Sequence, residues 1–302
     1  MIRKSVLVTG ATGLIGTALI DALINRGYTV HGLSRGEQQH RSSAVRFFQW
    51  DTDSGQVDER CLSGVQAIIH LAGENIGAQP WSKHRKQAIY DSHVQSIGLL
   101  YRLLENREHT VNTVVSAAAT GYYSHRGDEL MTEDKLPAND FLGRLCLAWE
   151  QAVAEGRRLG LRTVSLRSGA VLATAGGMYP KLVKFIKTGL GAVPGTGRQW
   201  MPWVHIDDAV ALYLFAMEHN GIHGVYNMVA PQQIQLTTLL HAIGNHLDKR
   251  IWLPRIPTFI LKAVLGQMSE LLLSSTRVSA DKIQNTGFRF TYPEINQAIA
   301  SL

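Results

Sequence analysis

Thr9-Gly10-Ala11-Thr12-Gly13-Leu14-Ile15-Gly16 is the stretch that decides the fold of this 302-residue chain. The apolar run before it, Ser5–Thr9 (SVLVT), reads as a strand. Residues 14–26 after it read as a helix, with Leu14, Ala18, Leu19, Ala22 and Leu23 at helical spacing and Gly27 as the stop. A glycine at a strand end lets the backbone turn tightly, a second lets a diphosphate approach the main chain, and a third lets the helix pack against the strand. Free N–H groups and a partial positive charge at the helix start favour the phosphates. Glycine spacing alone is weak; set between an apolar strand and an amphipathic helix, it marks a dinucleotide-binding βαβ unit. The expected cofactor turn is therefore Gly10, Ala11, Thr12, Gly13, Leu14, Ile15 and Gly16.

The chain then alternates. Residues 28–33 (YTVHGL), 45–50 (VRFFQW), 66–71 (QAIIHL), 111–116 (VNTVVS) and 162–167 (RTVSLR) read as strands, and 81–105 and 141–158 as helices. The expected fold is α/β: a Rossmann-type doubly wound parallel sheet with a smaller α/β C-terminal substrate lobe. After about residue 175 the texture changes. Gly176-Gly177, Gly189, Gly191, Pro194, Gly195 and Gly197 punctuate a loop-rich region before Trp203. The expected division is 1–175 for the cofactor domain, with 203–229 returning to it, and 176–202 plus 230–302 for the substrate lobe.

The end of the second strand separates NAD from NADP. An NAD site places a carboxylate there for the ribose 2′-hydroxyl. Here Leu33 is followed by Ser34 and Arg35, with no acid until Glu37. A hydroxyl and a guanidinium suit a 2′-phosphate, so NADP(H) is the expected cofactor; the alternative for Arg35 is an exposed loop arginine. Trp50 and Asp51 end the third strand, and Leu71, Ala72 and Gly73 end the fourth. Carboxyl ends of parallel strands are where such sheets bind ligands.

These residues resemble the extended short-chain dehydrogenase/reductase superfamily. Leu71-Ala72-Gly73-Glu74, Ala119-Thr120-Gly121-Tyr122-Tyr123, Trp149-Glu150, Arg167-Ser168-Gly169-Ala170-Val171-Leu172, Gly195-Thr196-Gly197-Arg198-Gln199-Trp200 and Trp203-Val204-His205-Ile206-Asp207-Asp208 are similar to one atypical branch. That branch is the nucleoside-diphosphate-sugar epimerase-like family of the YfcH type. Gly287-Phe288-Arg289-Phe290 with Tyr292-Pro293 is similar to its C-terminal small domain. The resemblance runs through the whole chain and implies a Rossmann lobe, a smaller substrate lobe and NADP(H) binding. Its epimerase label is a fold-level analogy, and fold does not fix function.

The superfamily's usual acid–base pair, a tyrosine and lysine spaced YxxxK, is missing: none of the nine tyrosines has a lysine four residues later. The matching helix begins Phe141-Leu142-Gly143-Arg144-Leu145-Cys146. Alanines stand where a serine is usual, which leaves Thr120, Tyr122 and Tyr123 as catalytic candidates. The alternative for the two tyrosines is aromatic packing at a strand end. An Asp ahead of Ala209 reads as a helix N-cap, and His205 as a hydrogen-bonded core group. From Gly191 to Trp203 glycines and a proline shape a loop carrying Arg198, Gln199, Trp200 and Trp203. By resemblance it closes the substrate cleft, with Arg198 suited to a carboxylate or phosphate.

The net charge of +6 fits an anionic small-molecule ligand. Basic residues are scattered, and the densest cluster, Lys83-His84-Arg85-Lys86, matches no nucleic-acid module and reads as a solvated helix face. Cys61 and Cys146 form no CxxC pair, His219 and His223 are split by a turn, and no metal site is expected. No apolar run reaches membrane-span length, and the first strand begins too early for a leader, so cytoplasm is the expected compartment. Two functions follow: an NADP-dependent oxidoreductase or epimerase on an anionic or sugar-nucleotide-like molecule, or a non-catalytic NADP(H)-binding regulatory protein.

Overall fold

In the computed structural model, which describes residues 4–40, 42–188, 192–251 and 255–302, strand β1 (Ser5–Thr9) is buried along its whole length. Helix α1 (Leu14–Asn25), strands β2 (Thr29–Ser34), β3 (Val45–Asp51), β4 (Gln56–Val57) and β5 (Val65–His70), helix α2 (Lys83–Glu105) and strand β6 (Thr113–Ala119) follow. Next come β7 (Leu130–Met131), α3 (Phe141–Ala154), β8 (Arg162–Ser168), β9 (Ala170–Ala173), β10 (Gly176–Gly177) and α4 (Tyr179–Lys187). Then β11 (Trp200–Met201), β12 (Trp203–His205), α5 (Ile206–Glu218), β13 (Gly224–Met228), β14 (Ile234–Gln235) and α6 (Leu236–His246) lead into the C-terminal segment. That segment holds α7 (Thr258–Leu265), α8 (Glu270–Leu273), β15 (Arg277–Val278), α9 (Asp281–Gln284) and α10 (Ile295–Ala300).

The main sheet runs β13-β8-β6-β5-β1-β2-β3-β4, parallel throughout except for β4, which is antiparallel to β3. Because side chains alternate across a strand, Val6 and Val8 enter one core with Leu19, Leu23, Leu212 and Tyr213, while Leu7 enters the other with Ile97, Leu100 and Val153. Helices α1 and α5 thus cover one face, and α2 and α3 the other, as a doubly wound sheet requires. From β1 the chain passes outward to β2 and β3, then returns to β5 on the opposite side. The strand order reverses between β1 and β5, and their carboxyl ends form the switch point.

Two segments depart from the sequence reading. The helix expected over 141–158 ends as α-helix at Ala154 and tightens into a 3₁₀ turn, Glu155–Leu159. At this junction the Tyr101 hydroxyl on α2 donates to the Val153 carbonyl at 2.7 Å, the acceptor that Arg157 would use in a continuing α-helix. The strand β13 went unread because GVYNM lacks a clean periodic pattern; it pairs with β8 at the sheet edge.

A third apolar core surrounds Trp203, which is 1% exposed, with Leu239, Ile243 and Ile299. The N-cap of α5 is His205, not an aspartate: its Nδ1 accepts from the Asp207 N–H at 3.2 Å. Asp208 is instead buried and accepts the N–H groups of Thr291 (2.7 Å) and Tyr292 (2.9 Å). One carboxylate thereby fastens the C-terminal segment to α5. Asp208→Asn keeps the size but presents an amide donor to one of the two N–H groups, so about 2 kcal/mol of unfolding free energy should be lost. Urea denaturation measures it, and an unchanged midpoint would contradict the anchoring role.

Candidate functional site

Gly10 leaves β1 with φ +62°, and a β-carbon there would lie 2.7 Å from the Leu71 carbonyl carbon at the end of β5. A β-carbon at Gly16 would stand 2.2 Å from the Gly10 carbonyl oxygen. Gly13 is the N-cap of α1, closed by its own N–H to the Gly10 carbonyl at 2.9 Å, and offers no side chain to the helix amides. No acidic residue sits in the first turn. The opening N–H groups of α1 are thus left to a ligand. Thr12 lines the cleft beside Gly10 and Gly13. The side chains of Ala11 and Ile15 pack into the core, and a β-carbon at Gly177 would lie 3.3 Å from Leu14 Cδ2. Those three, with Gly16, have only main chain to offer a diphosphate.

Behind the turn lies a polar relay that the sequence did not reveal. Thr9 Oγ1 accepts the N–H groups of Leu71 and Ala72, both at 3.1 Å, so its proton goes to His70 Nδ1 at 2.9 Å. His70 Nε2–H then donates to Ser96 Oγ on α2 at 3.1 Å. Burial drives the His70 pKa down to about 3, which keeps the ring neutral, and the proton from Thr9 selects this tautomer. Gly73 has a similar constraint: a β-carbon would lie 2.4 Å from His93 Nε2.

The cleft above the switch point has a volume of about 590 Å³. Of the sequence-predicted residues it brings together Gly10, Thr12, Gly13, Ser34, Arg35, Trp50, Leu71, Ala72 and Gly73. Asp51 turns to its own loop instead, accepting from Ser54 Oγ (2.8 Å) and the Asp53 N–H (2.9 Å), and Thr52 and Asp53 form the rim. Ser34 Oγ donates to the Gly36 carbonyl, and Arg35 is 79% exposed. The other wall is α2, and here the reading of 83–86 as a solvated face holds for Lys83 and His84, which are exposed, but is corrected for Arg85 and Lys86. Arg85 lines the cleft with Nη1 2.9 Å from Glu74 Oε2, while Lys86 lies over the ring of Phe141 and donates to Gln267. Three carboxylates, Asp53, Glu74 and Asp91, also line it; Glu74 sits well below the usual carboxylate range, chiefly through its hydrogen bond from Arg85.

The catalytic candidates stand at the end of β6. Thr120 Oγ1 donates to the Ser168 carbonyl at 3.2 Å. Tyr123 is fully buried; its hydroxyl donates to Asn227 Oδ1 at 2.7 Å and accepts from Arg167 Nη1 at 2.7 Å. The Tyr123 phenol, a catalytic candidate from the sequence, is thus held by two partners, and burial raises its pKa to about 12. Arg167 grips Glu150 with two bonds of 2.7 and 2.8 Å and stacks on Tyr122, 3.5 Å from the ring centroid. No local signal marks Arg167, Glu150 and Asn227 as partners, since they lie far apart in sequence. The first turn of α3 is itself covered: a β-carbon at Gly143 would meet the Ala138 carbonyl oxygen at 2.1 Å. Ser124, at φ +52°, is held in its turn by Asp140, the N-cap of α3, and by Thr276.

The family model of the NAD dependent epimerase/dehydratase family matches residues 6–228, and that of a domain of unknown function (DUF1731) matches residues 256–302. The chain belongs to the NAD-dependent epimerase/dehydratase family. Epimerase family protein YfhF of Bacillus subtilis is 31% identical over 299 residues, covering 99% of this chain and 97% of that protein. The crystal structure of human epimerase family protein SDR39U1 (isoform 2) with NADPH has a TM-score of 0.86 at 30% identity, covering 98% of each chain. A nucleoside-diphosphate sugar epimerase from Corynebacterium glutamicum has a TM-score of 0.79 at 30% identity, over 99% of this chain and 57% of that one.

As a member of this family the chain places its 192–203 loop against the C-terminal segment; Gly191 lies outside the described residues. Gln199 is buried, with Nε2 donating to the carbonyls of Pro194 (3.0 Å) and Leu272 (2.9 Å), and Trp203 Nε1 donates to the Gln232 carbonyl at 2.9 Å. Both are structural, a correction to their expected place on a substrate loop. Trp200 Nε1 donates to Asp128 at 2.6 Å, whereas Arg198 is exposed. No helix among the described residues is long and apolar enough to cross a membrane.

The buried imidazoles make stability pH-dependent. Burial lowers the pKa of His31, His70, His93 and His205 below 6.5. Unfolding lets them take up protons below that value, so stability present at neutral pH is lost as pH falls. The melting temperature should drop between pH 7.5 and pH 5, and His70→Asn should flatten the slope; a melting temperature constant across that window would contradict it.

Proposed function

We propose that this protein binds NADP(H) in the β1–β5 cleft and acts as an atypical oxidoreductase or epimerase on an anionic or sugar-nucleotide-like small molecule. One observation carries the cofactor half of this reading: the uncapped α1 terminus, which a β-carbon at Gly10 or Gly16 would obstruct, opens on a cleft where β2 ends at Ser34 and is followed by Arg35, with no carboxylate at either position. A diphosphate suits those main-chain amides, and a guanidinium suits a 2′-phosphate. The likeness to human SDR39U1, whose structure contains NADPH, supports the same assignment. The Corynebacterium relative's description as a nucleoside-diphosphate sugar epimerase supports the substrate class.

When bound, the nicotinamide would supply hydride chemistry. The chain's own contribution departs from the superfamily's phenol and lysine. Tyr123 is committed to Asn227 and Arg167, and Tyr122 lies under the Arg167 guanidinium. Tyr122 and Thr120 remain the polar groups at the end of β6 from which acid–base work would be drawn. The sequestered Tyr123 favours a second reading, an NADP(H)-binding regulatory protein without turnover.

Calorimetry with NADPH and NADH tests the first half. Wild type should prefer NADPH, and Arg35→Ala should reduce NADPH affinity by about tenfold while leaving NADH nearly unchanged. Equal affinity for both cofactors in wild type would remove the NADP(H) assignment. Turnover is read by NADPH absorbance and by isotope exchange from labelled NADPH against a metabolite extract. Consumption that Tyr122→Phe suppresses supports an enzyme, whereas no oxidation and no exchange support the regulatory reading.

A further inference from the structure

Glu74 places one carboxylate between two guanidiniums from opposite walls of the cleft. Its Oε2 accepts from Arg85 Nη1 at 2.9 Å, and its Oε1 lies 3.5 Å from Arg35 Nη1. The two arginines differ in how they are held. Arg85, on α2, is only 14% exposed and donates Nη2 to the Asn75 carbonyl at 2.9 Å. Its Nε–H is buried without a partner among the described residues. Arg35, after β2, is 79% exposed, and Glu74 is the carboxylate it meets. The backbone of Glu74 is fixed as well, its N–H donating to Ser92 Oγ at 3.0 Å.

This geometry sets up a competition. An anion arriving at Arg35 must share that guanidinium with Glu74, and it meets the repulsion of the Glu74 carboxylate beside it. Arg85 offsets that charge from the inner side. Asp91, in the same cleft, engages neutral amides instead, accepting from Gln87 and Gln95 at 3.0 Å each. Asp53 is on the rim.

We propose that Glu74, partnered by Arg85, is the residue that sets how strongly this cleft discriminates a 2′-phosphorylated adenosine from an unphosphorylated one. The inference rests on the NADP(H) reading and adds to it a tuning pair on the wall facing Arg35. Glu74 lowers the affinity for the extra phosphate, and Arg85 relieves that penalty. Neither residue is required for the diphosphate, which the α1 amides would hold. The effect should therefore be confined to the 2′-phosphate.

Calorimetry on the full-length protein with NADPH, NADH, adenosine 2′,5′-bisphosphate and 5′-AMP tests this. Glu74→Gln should tighten NADPH and the bisphosphate by about fivefold to tenfold, with NADH and 5′-AMP changing by less than about twofold. Arg85→Gln leaves the carboxylate without its inner partner and should weaken the two 2′-phosphorylated ligands by about tenfold. In the Glu74→Gln background Arg85→Gln should change affinity by less than about threefold, so the double variant should stay near Glu74→Gln, whereas independent effects would bring it back to the wild-type level. Equal shifts for phosphorylated and unphosphorylated ligands, or a double variant that simply sums the gain and the loss of the two single variants, would overturn the proposal. Wild type that binds neither dinucleotide would instead bring down the cofactor reading beneath it, so the two failures are told apart by the wild-type arm.

Discussion

The approach of two strand ends governs this molecule. At the switch point, Gly10 passes so close to Leu71 that a single added carbon would overlap the Leu71 carbonyl group, and Gly16 lies closer still to Gly10. These clearances let α1 start directly over the sheet with its first amides unused. They also explain the polar relay behind the turn. Strand ends without regular pairing leave N–H groups that must be satisfied, and Thr9 takes those of Leu71 and Ala72. The neutral His70 carries the constraint onward to α2, so the helix that forms the opposite wall of the cleft is keyed to the same turn.

A second set of buried polar groups joins segments that are distant in sequence. Asp208 holds the backbone at Thr291 and Tyr292, and Arg167 links Glu150 on α3 to Tyr123 after β6 and, through it, to Asn227 on β13. A buried ion pair adds little net stability relative to a well-packed apolar substitute, because both charges lose their hydration. Its satisfied geometry does impose one arrangement. Burial raises the Glu150 carboxyl pKa against the pull of Arg167. Here that arrangement takes one tyrosine hydroxyl and one tyrosine ring face out of reach of a ligand, and so the family's usual proton-transfer chemistry is not assembled from Tyr123.

The charges around the cleft make sense in the same terms. Helix amides and two arginines offset three carboxylates, so recognition of an anion rests on where each charge is fixed more than on the overall basic balance of the chain. Of the basic run at the start of α2, His84 and Arg85 belong to this wall, and Lys86 turns to Phe141.

Local pattern determined a great deal by itself. The strand–glycine–helix opening, the alternation of buried strands with amphipathic helices, and the lack of an acid after Leu33 each depend on neighbours within one or two turns, and the sheet and its glycine turn were legible from them. The tertiary structure alone decided the fate of side chains whose partners lie far along the chain. Tyr123 looked like an acid–base candidate until Asn227, 104 residues on, took its hydroxyl. Gln199 and Trp203 looked like loop residues until the carbonyls of Leu272 and Gln232 claimed their donors. Arg85 looked solvated until Glu74, from the end of β5, met it. The physical reason is common to all three. Spacing fixes which face of an element a side chain leaves from, but hydrogen-bond satisfaction in a buried place depends on which distant group the fold brings there.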